Sequence, residues 1–184
     1  MGRYRTGDFG DYALTVGRLD GWKRPDLPLR ALAHAPAARL VVVGRGPEEE
    51  RLRRLSRELD LDGRVRWIPE ATEDELLDLY AGARIVVVAP QGEDLGYVPL
   101  EAFLSGKPVL TTDDAGGPLE FVTDGETGFV VPPRPEALGA ALRLAWERKE
   151  ALEVLGQRGL ARASQLSWDA TIARLLSAAR LSLP

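Results

Sequence analysis

Six short runs rich in β-branched residues, each parted from the next by a helical pattern, constrain this chain more than any other feature. They begin at Tyr12 (Tyr-Ala-Leu-Thr-Val), Arg39 (Arg-Leu-Val-Val-Val), Arg64 (Arg-Val-Arg-Trp-Ile), Arg84 (Arg-Ile-Val-Val-Val), Pro108 (Pro-Val-Leu-Thr-Thr) and Gly128 (Gly-Phe-Val-Val), with starts 20 to 27 residues apart. Each interval has room for one crossover helix, which predicts stacked βαβ units around a parallel sheet. Nearly unbroken Val and Ile runs suit strands covered on both faces. The expected architecture is α/β: a doubly wound, six-stranded parallel sheet followed by extra C-terminal helices.

The helices are placed by their stripes and stops. Asp26 to Ala35 sets Leu27, Leu29, Ala31 and Leu32 near one face, and Pro47 to Leu59 opens with a proline and three glutamates, which the helix dipole favours. Thr72 with Glu75 reads as a capping box for a helix through Ala81, and Pro99 opens a segment to Ser105. Beyond Pro135 the pattern is helical to Leu181, interrupted near Gly156 to Gly159 and around Ser167, so three helices and no further strand are expected there. No linker divides the chain. Residues 12–184 read as one domain, and residues 1–11 as a flexible polar stub: a frayed end, a cloning remnant or a connection to something upstream.

Composition narrows the chemistry. The chain has 184 residues, 45% hydrophobic and 28% charged, as expected of one soluble globule. Its net charge of -4 argues against nucleic acid as a partner. The absence of cysteine excludes disulfides, thiol catalysis and thiolate metal sites. The single histidine, His34, cannot build a His-rich zinc site and reads as a structural or surface residue late in the first crossover helix. No apolar run approaches the roughly 18 residues of a membrane span, and no signal peptide opens the chain, so a cytoplasmic location is expected.

A six-stranded sheet of this kind most often has the order 3-2-1-4-5-6 and binds its ligand at the carboxyl ends of the strands, where the order reverses. Two loops border that point, Gly17 to Lys23 and Ala89 to Tyr97. The first carries two cations, Arg18 and Lys23, around an Asp20-Gly21 turn. The second holds Glu93, Leu95, Gly96, Tyr97 and Val98 and leads into the helix containing Glu101. Cations and free amides suit a phosphate; carboxylates beside an anion suit the paired hydroxyls of a sugar or ribose. Taken one by one, these residues also fit solvated loop charges and a helix end, and it is their convergence that points to a site.

These residues resemble the C-terminal, donor-binding domain of the GT-B retaining glycosyltransferases, family 4 in particular, over about 12–174. Glu93 and Glu101 fit that family's pair of glutamates with seven residues between, followed by Glu-Ala-Phe-Leu-Ser-Gly-Lys-Pro-Val from Glu101. Further matching segments are Val16-Gly17-Arg18-Leu19 with Lys23, Val43-Gly44-Arg45-Gly46-Pro47, Gly116-Gly117 with Glu120, and Asp124 to Phe129. The resemblance implies a Rossmann-like half of a GT-B fold that takes a nucleotide diphosphate sugar (UDP-, GDP- or ADP-sugar), transfers a hexosyl group with retention, and needs neither metal nor cofactor. It implies that Arg18 and Lys23 hold the diphosphate and steady the leaving group, that Glu93 meets sugar hydroxyls, and that Glu101 meets the ribose diol. Gly17 and the amides of Leu95 to Val98 would approach sugar and phosphate, and the base would lie near Ile68 to Glu70. The acceptor domain of such an enzyme is absent from this length of chain, so binding with little transfer is expected of it, and membrane contact only through a parent enzyme. Two departures concern the phosphate loops: Arg24-Pro25 stands where glycine usually follows the lysine, and Pro118-Leu119-Glu120 replaces the usual Pro-Glu.

Other patterns are weaker. Gly44-Arg45-Gly46-Pro47 is neither a P-loop nor a dinucleotide fingerprint. Arg51, Arg53, Arg54 and Arg57 alternate with acids and leucines as on a solvated helix face. Trp22 and Trp67 stand next to the expected phosphate and base loops, and Trp168, Ile172, Leu175 and Leu176 form an apolar stripe in the tail. Two other readings stay open: a nucleotide-binding scaffold that has lost transfer, and half of a sugar-nucleotide epimerase.

Overall fold

A computed structural model describes residues 4–166. Its strands are β1 (Ala13–Val16), β2 (Leu40–Val43), β3 (Val65–Ile68), β4 (Ile85–Val88), β5 (Val109–Thr112) and β6 (Gly128–Val131). The helices are α1 (Asp26–Leu32), α2 (Glu49–Glu58), α3 (Glu73–Gly82), α4 (Val98–Leu104), α5 (Pro135–Glu147) and α6 (Lys149–Ser164), with one 3-10 turn at Gly117–Glu120. Every strand pair is parallel, and the order is β3-β2-β1-β4-β5-β6, with Ala13 of β1 beside both Leu40 and Ile85. The predicted reversal between the first and fourth strands is present.

Alternation along the strands builds two cores. Ala13, Leu40, Val42, Ile85, Val87 and Leu110 face Leu29, Leu32, Leu52, Leu138 and Leu142 of α1, α2 and α5. Leu14, Val41, Val43, Val86 and Val109 face Leu79, Tyr80, Ala102 and Phe103 of α3 and α4. This is why the runs of β2 and β4 lack a polar face: both sides of these inner strands are covered, whereas the edge strand β3 leaves Arg66 exposed. Thr72 and Glu75 form the expected capping box at α3. The Arg64 guanidinium donates to the carbonyls of Leu32, Ala35, Pro36 and Ala38, closing the end of α1 from the strand that starts beside it.

The C-terminal helices depart from expectation at one point. The break falls at Arg148, between α5 and α6, and α6 runs straight through Gly156 and Gly159. These glycines are contact sites. A Cβ at Gly156 would overlap the Gly106 carbonyl oxygen, and one at Gly159 would overlap the Phe103 ring, so the two glycines let α6 lie close on α4 and on the turn that follows it. The interruption expected around Ser167, the third helix and the Trp168 stripe lie outside the described residues.

Residues 4–11, expected to be a flexible stub, make contacts along the body. Gly10 N–H donates to Gly82 O at 3.1 Å, and Arg5 pairs with Asp74 and Asp78. Lys107, fully buried, donates to the carbonyls of Gly7 (2.7 Å) and Asp8 (3.2 Å) and lies 4.1 Å from the Phe9 ring centre. Burial pulls the Lys107 ammonium down from 10.5 to about 8, against the opposing pull of Asp8. Below pH 8 both folded and unfolded chains carry this proton. From pH 8 to about 10.5 the unfolded chain keeps a proton that the folded chain releases, so stability from this group rises, by up to about 1.4 kcal/mol per pH unit. Urea unfolding at about pH 7.5 and 9 is expected to show the wild type gaining stability relative to Lys107→Met, and parallel pH slopes would count against that.

Candidate functional site

The two loops at the β1/β4 reversal form the walls of one cavity of about 440 Å³. Gly17, Arg18 and Lys23 line it from one side; Glu93, Leu95, Gly96, Tyr97, Val98 and Glu101 line it from the other. Ile68 alone among the expected site residues is not in its lining. It belongs to a neighbouring groove with Arg66, Trp67 and Glu75, and its carbonyl already accepts from Gly44 N–H at 2.9 Å.

Local chemistry fixes the first wall. One oxygen of the Asp20 carboxylate accepts from the amides of Trp22 and Lys23, both at 3.1 Å, the side-chain turn that an Asp-Gly pair favours. Arg18 is largely exposed, its side chain 72% accessible, with its Nε 3.5 Å from Asp20 Oδ2, so its charge reaches the cavity from the rim. Trp22 is exposed beside it.

The second wall is tied down on both sides. Gln91 N–H donates to Trp22 O at 2.8 Å, joining the two loops directly. Glu93 N–H donates to Ala115 O at 2.9 Å and Glu93 O accepts from Gly117 N–H at 2.6 Å. Gly96 has φ 70°, a conformation open to glycine at little cost, and it turns the chain toward α4. Among the described residues, the amides of Gly96, Tyr97 and Val98 have no backbone acceptor within the chain. They are donors at the cavity wall.

Two side-chain pairings define the electrostatics. Lys23 Nζ donates to Glu93 Oε2, so the walls meet through opposite charges. Glu101 Oε2 accepts from Tyr80 OH at 2.7 Å, and Glu101 Oε1 from Tyr4 OH at 3.3 Å. Burial, with the adjacent Glu101 charge, pushes the Tyr80 phenol well above its usual range, so Tyr80 stays a donor. Glu101 is thereby oriented while still lining the cavity. His34 stands elsewhere, at the α1–α5 contact, with Nε2 3.8 Å from Glu136. No three His, Cys, Asp or Glu side chains among the described residues gather as a metal-holding group, and no described helix is long and apolar enough to cross a membrane.

Four residues of this neighbourhood carry no local sequence signal. Tyr80 precedes Glu101 by 21 residues and Tyr4 by 97, so only the packing of α3 and of the N-terminal segment on α4 brings them there. Arg24 and Asp114 pair across 90 residues. The sequence marks Arg24 only as a departure from a family pattern.

Residues 8–162 match the family described as glycosyl transferases group 1. The D-inositol 3-phosphate glycosyltransferase of Mycolicibacterium paratuberculosis is 34% identical over 184 residues, covering 94% of this chain and 41% of the relative; that of Nocardia farcinica is 35% identical, covering 88% and 38%. The chain thus spans about two fifths of the length of these curated relatives. Anabaena HepE, solved with UDP and glucose, superposes with a TM-score of 0.82 at 26% identity, over 95% of this chain and 49% of that one. Sucrose-phosphate synthase from Thermosynechococcus elongatus gives 0.83 at 29%, over 94% and 45%. From the match over residues 8–162 and these relatives, the chain belongs to the glycosyl transferases group 1 family.

Proposed function

We propose that this chain is the donor-binding half of a retaining, metal-independent glycosyltransferase that moves a hexosyl group from a nucleotide diphosphate sugar to an acceptor hydroxyl. The observation that carries the reading is the meeting of Lys23 and Glu93 across one cavity at the sheet's reversal point, between the two expected loops. Its volume lies within the range of small-molecule sites. UDP in the HepE structures supports the class of donor.

In this reading Lys23, with Arg18 at the rim, faces the diphosphate. As the anomeric bond breaks, negative charge grows on the departing phosphate, and fixed cations in a partly shielded site stabilise it most at that moment. The positive character left on the sugar ring is held by that same phosphate, and the acceptor enters from its side, which gives retention. Glu93 accepts from sugar hydroxyls, Glu101 from the ribose diol, and the amides of Leu95 to Val98 with Gly17 approach phosphate and sugar. The base lies toward Ile68 at the edge of β3. The acceptor site belongs to another part of the enzyme, so the chain alone binds donor and transfers little.

Calorimetric titration of the chain in EDTA is the direct test. Saturable one-to-one binding of UDP-glucose and of UDP is expected, with Glu93→Gln weakening UDP-glucose more than UDP. Absence of saturable binding by both ligands would overturn the reading; equal loss for both would remove Glu93 from the sugar.

A further inference from the structure

We propose that Arg24 is a positioning residue for the cavity: its guanidinium ties the turn carrying Lys23 to the ends of β4 and β5, and so holds the Lys23 ammonium at Glu93. The inference rests on the donor-binding reading above and assigns Arg24 a part in it.

Arg24 follows Lys23 but its side chain runs inward. Nε donates to Ala89 O at 2.9 Å and Nη2 to Pro90 O at 2.5 Å. Nη2 also donates to Thr112 Oγ1 at 3.0 Å, and Nη1 and Nη2 grip both Asp114 oxygens at 2.7 Å each. One planar group thus joins three segments that are far apart in sequence. Ala89 and Pro90 are buried and lie past the end of β4, beyond its last ladder partner, Val88 with Thr111. Their carbonyls need a donor, because a buried acceptor without one is costly. Arg24 supplies it. The same guanidinium, hydrogen-bonded to both Asp114 oxygens, holds the Asp114 carboxyl below the usual carboxylate range.

The backbone shows that this arrangement is imposed. Arg24 has φ 46°, in the left-handed region, which strains a residue with a Cβ and is open to glycine at little cost. A strained residue persists where its surroundings over-determine it, and here five hydrogen bonds do so.

Two ion pairs then run side by side. Lys23 meets Glu93 and Arg24 meets Asp114. Lys23 and Arg24 share a peptide bond. On the other side Ala115, next to Asp114, accepts from Glu93 N–H, and Asp114 O accepts from Gly92 N–H. The inner pair is the better shielded, with the Arg24 side chain 16% accessible against 40% for Lys23. It sets the spacing at which the outer, ligand-facing pair meets. A lysine at position 24 offers no planar fork and cannot grip a carboxylate in two places while reaching two carbonyls.

The test is a double-mutant cycle read by UDP titration of the full chain, with Arg24→Lys, Lys23→Ala and both together. Arg24→Lys is expected to weaken UDP binding about tenfold when Lys23 is present and less than about twofold in the Lys23→Ala background. Asp114→Asn, which leaves the bonds to Ala89 and Pro90 in place, should repeat the pattern and serves if Arg24→Lys does not fold. Equal losses with and without Lys23, or no loss in either variant, would reduce Arg24 to a structural clamp and overturn the inference alone. A Lys23→Ala protein that binds UDP as tightly as wild type would overturn the donor reading and the inference together.

Discussion

Lys23→Ala is expected to raise the dissociation constant for UDP about 10- to 150-fold, the equivalent of losing one charge-assisted hydrogen bond worth about 1.5–3 kcal/mol. The size follows from its place. Lys23 is the cation held at the inner wall by the Asp20 turn, whereas Arg18 reaches the cavity from an exposed rim. Arg18→Ala should therefore cost less, and its cost should shrink with added salt as solvent ions take over its role. Titration of both variants at low and moderate ionic strength reads the contrast. An Arg18 effect equal to that of Lys23 would place the diphosphate farther out on the rim.

Gly156→Ala is expected to lower the free energy of unfolding by about 2 kcal/mol, against the usual direction for this exchange. Within an exposed helix, alanine in place of glycine gains about 1 kcal/mol. Here the added methyl meets the carbonyl of Gly106, a backbone atom that no side-chain rotation can move aside, and overpacking of that kind costs about 1–3 kcal/mol or more. At Gly159 the methyl meets the Phe103 ring, which is fully buried and has little room to turn. Thermal unfolding should show a melting temperature lower by about 4–8 °C for Gly156→Ala, with an exposed control such as Gln157→Ala near neutral. A stabilised Gly156→Ala would mean that α6 does not sit on α4 as described.

Gly156 also shows where sequence reading stops. A glycine inside a helical stretch carries the same local signal whether it breaks the helix or lets another element approach, and only the position of α4 tells the two apart. Strands were legible because their signal is local: four consecutive apolar, mostly β-branched residues at Leu40–Val43 and Ile85–Val88 suit only a strand covered on both faces. The strand order and the two loops followed from general rules for such sheets, which is how Lys23 and Glu93, 70 residues apart, could be assigned to one place. Their direct pairing was not legible, since contact between side chains depends on rotamers and on the Asp20 turn. Arg24 was hidden for a related reason. Its partners at 89, 90, 112 and 114 are two backbone carbonyls and two small polar side chains, and a carbonyl leaves no mark in a sequence. The base edge near Ile68 to Glu70 rests on the family resemblance alone, and the lining of the cavity stops short of Ile68.

The position of β1 between β2 and β4 bears on how such a chain acquires its binding competence. β1 and β2 are joined by a short crossover, but β4 reaches β1 only after two more strands have been made, and pairings between distant segments form slowly. The cavity is shared between these early and late portions, so it comes into being only when the last of them docks. On the donor-binding reading, nucleotide capture would then report the docking of β4 and its loop beside β1, and ligand present during refolding would draw the population forward by mass action without speeding the first steps.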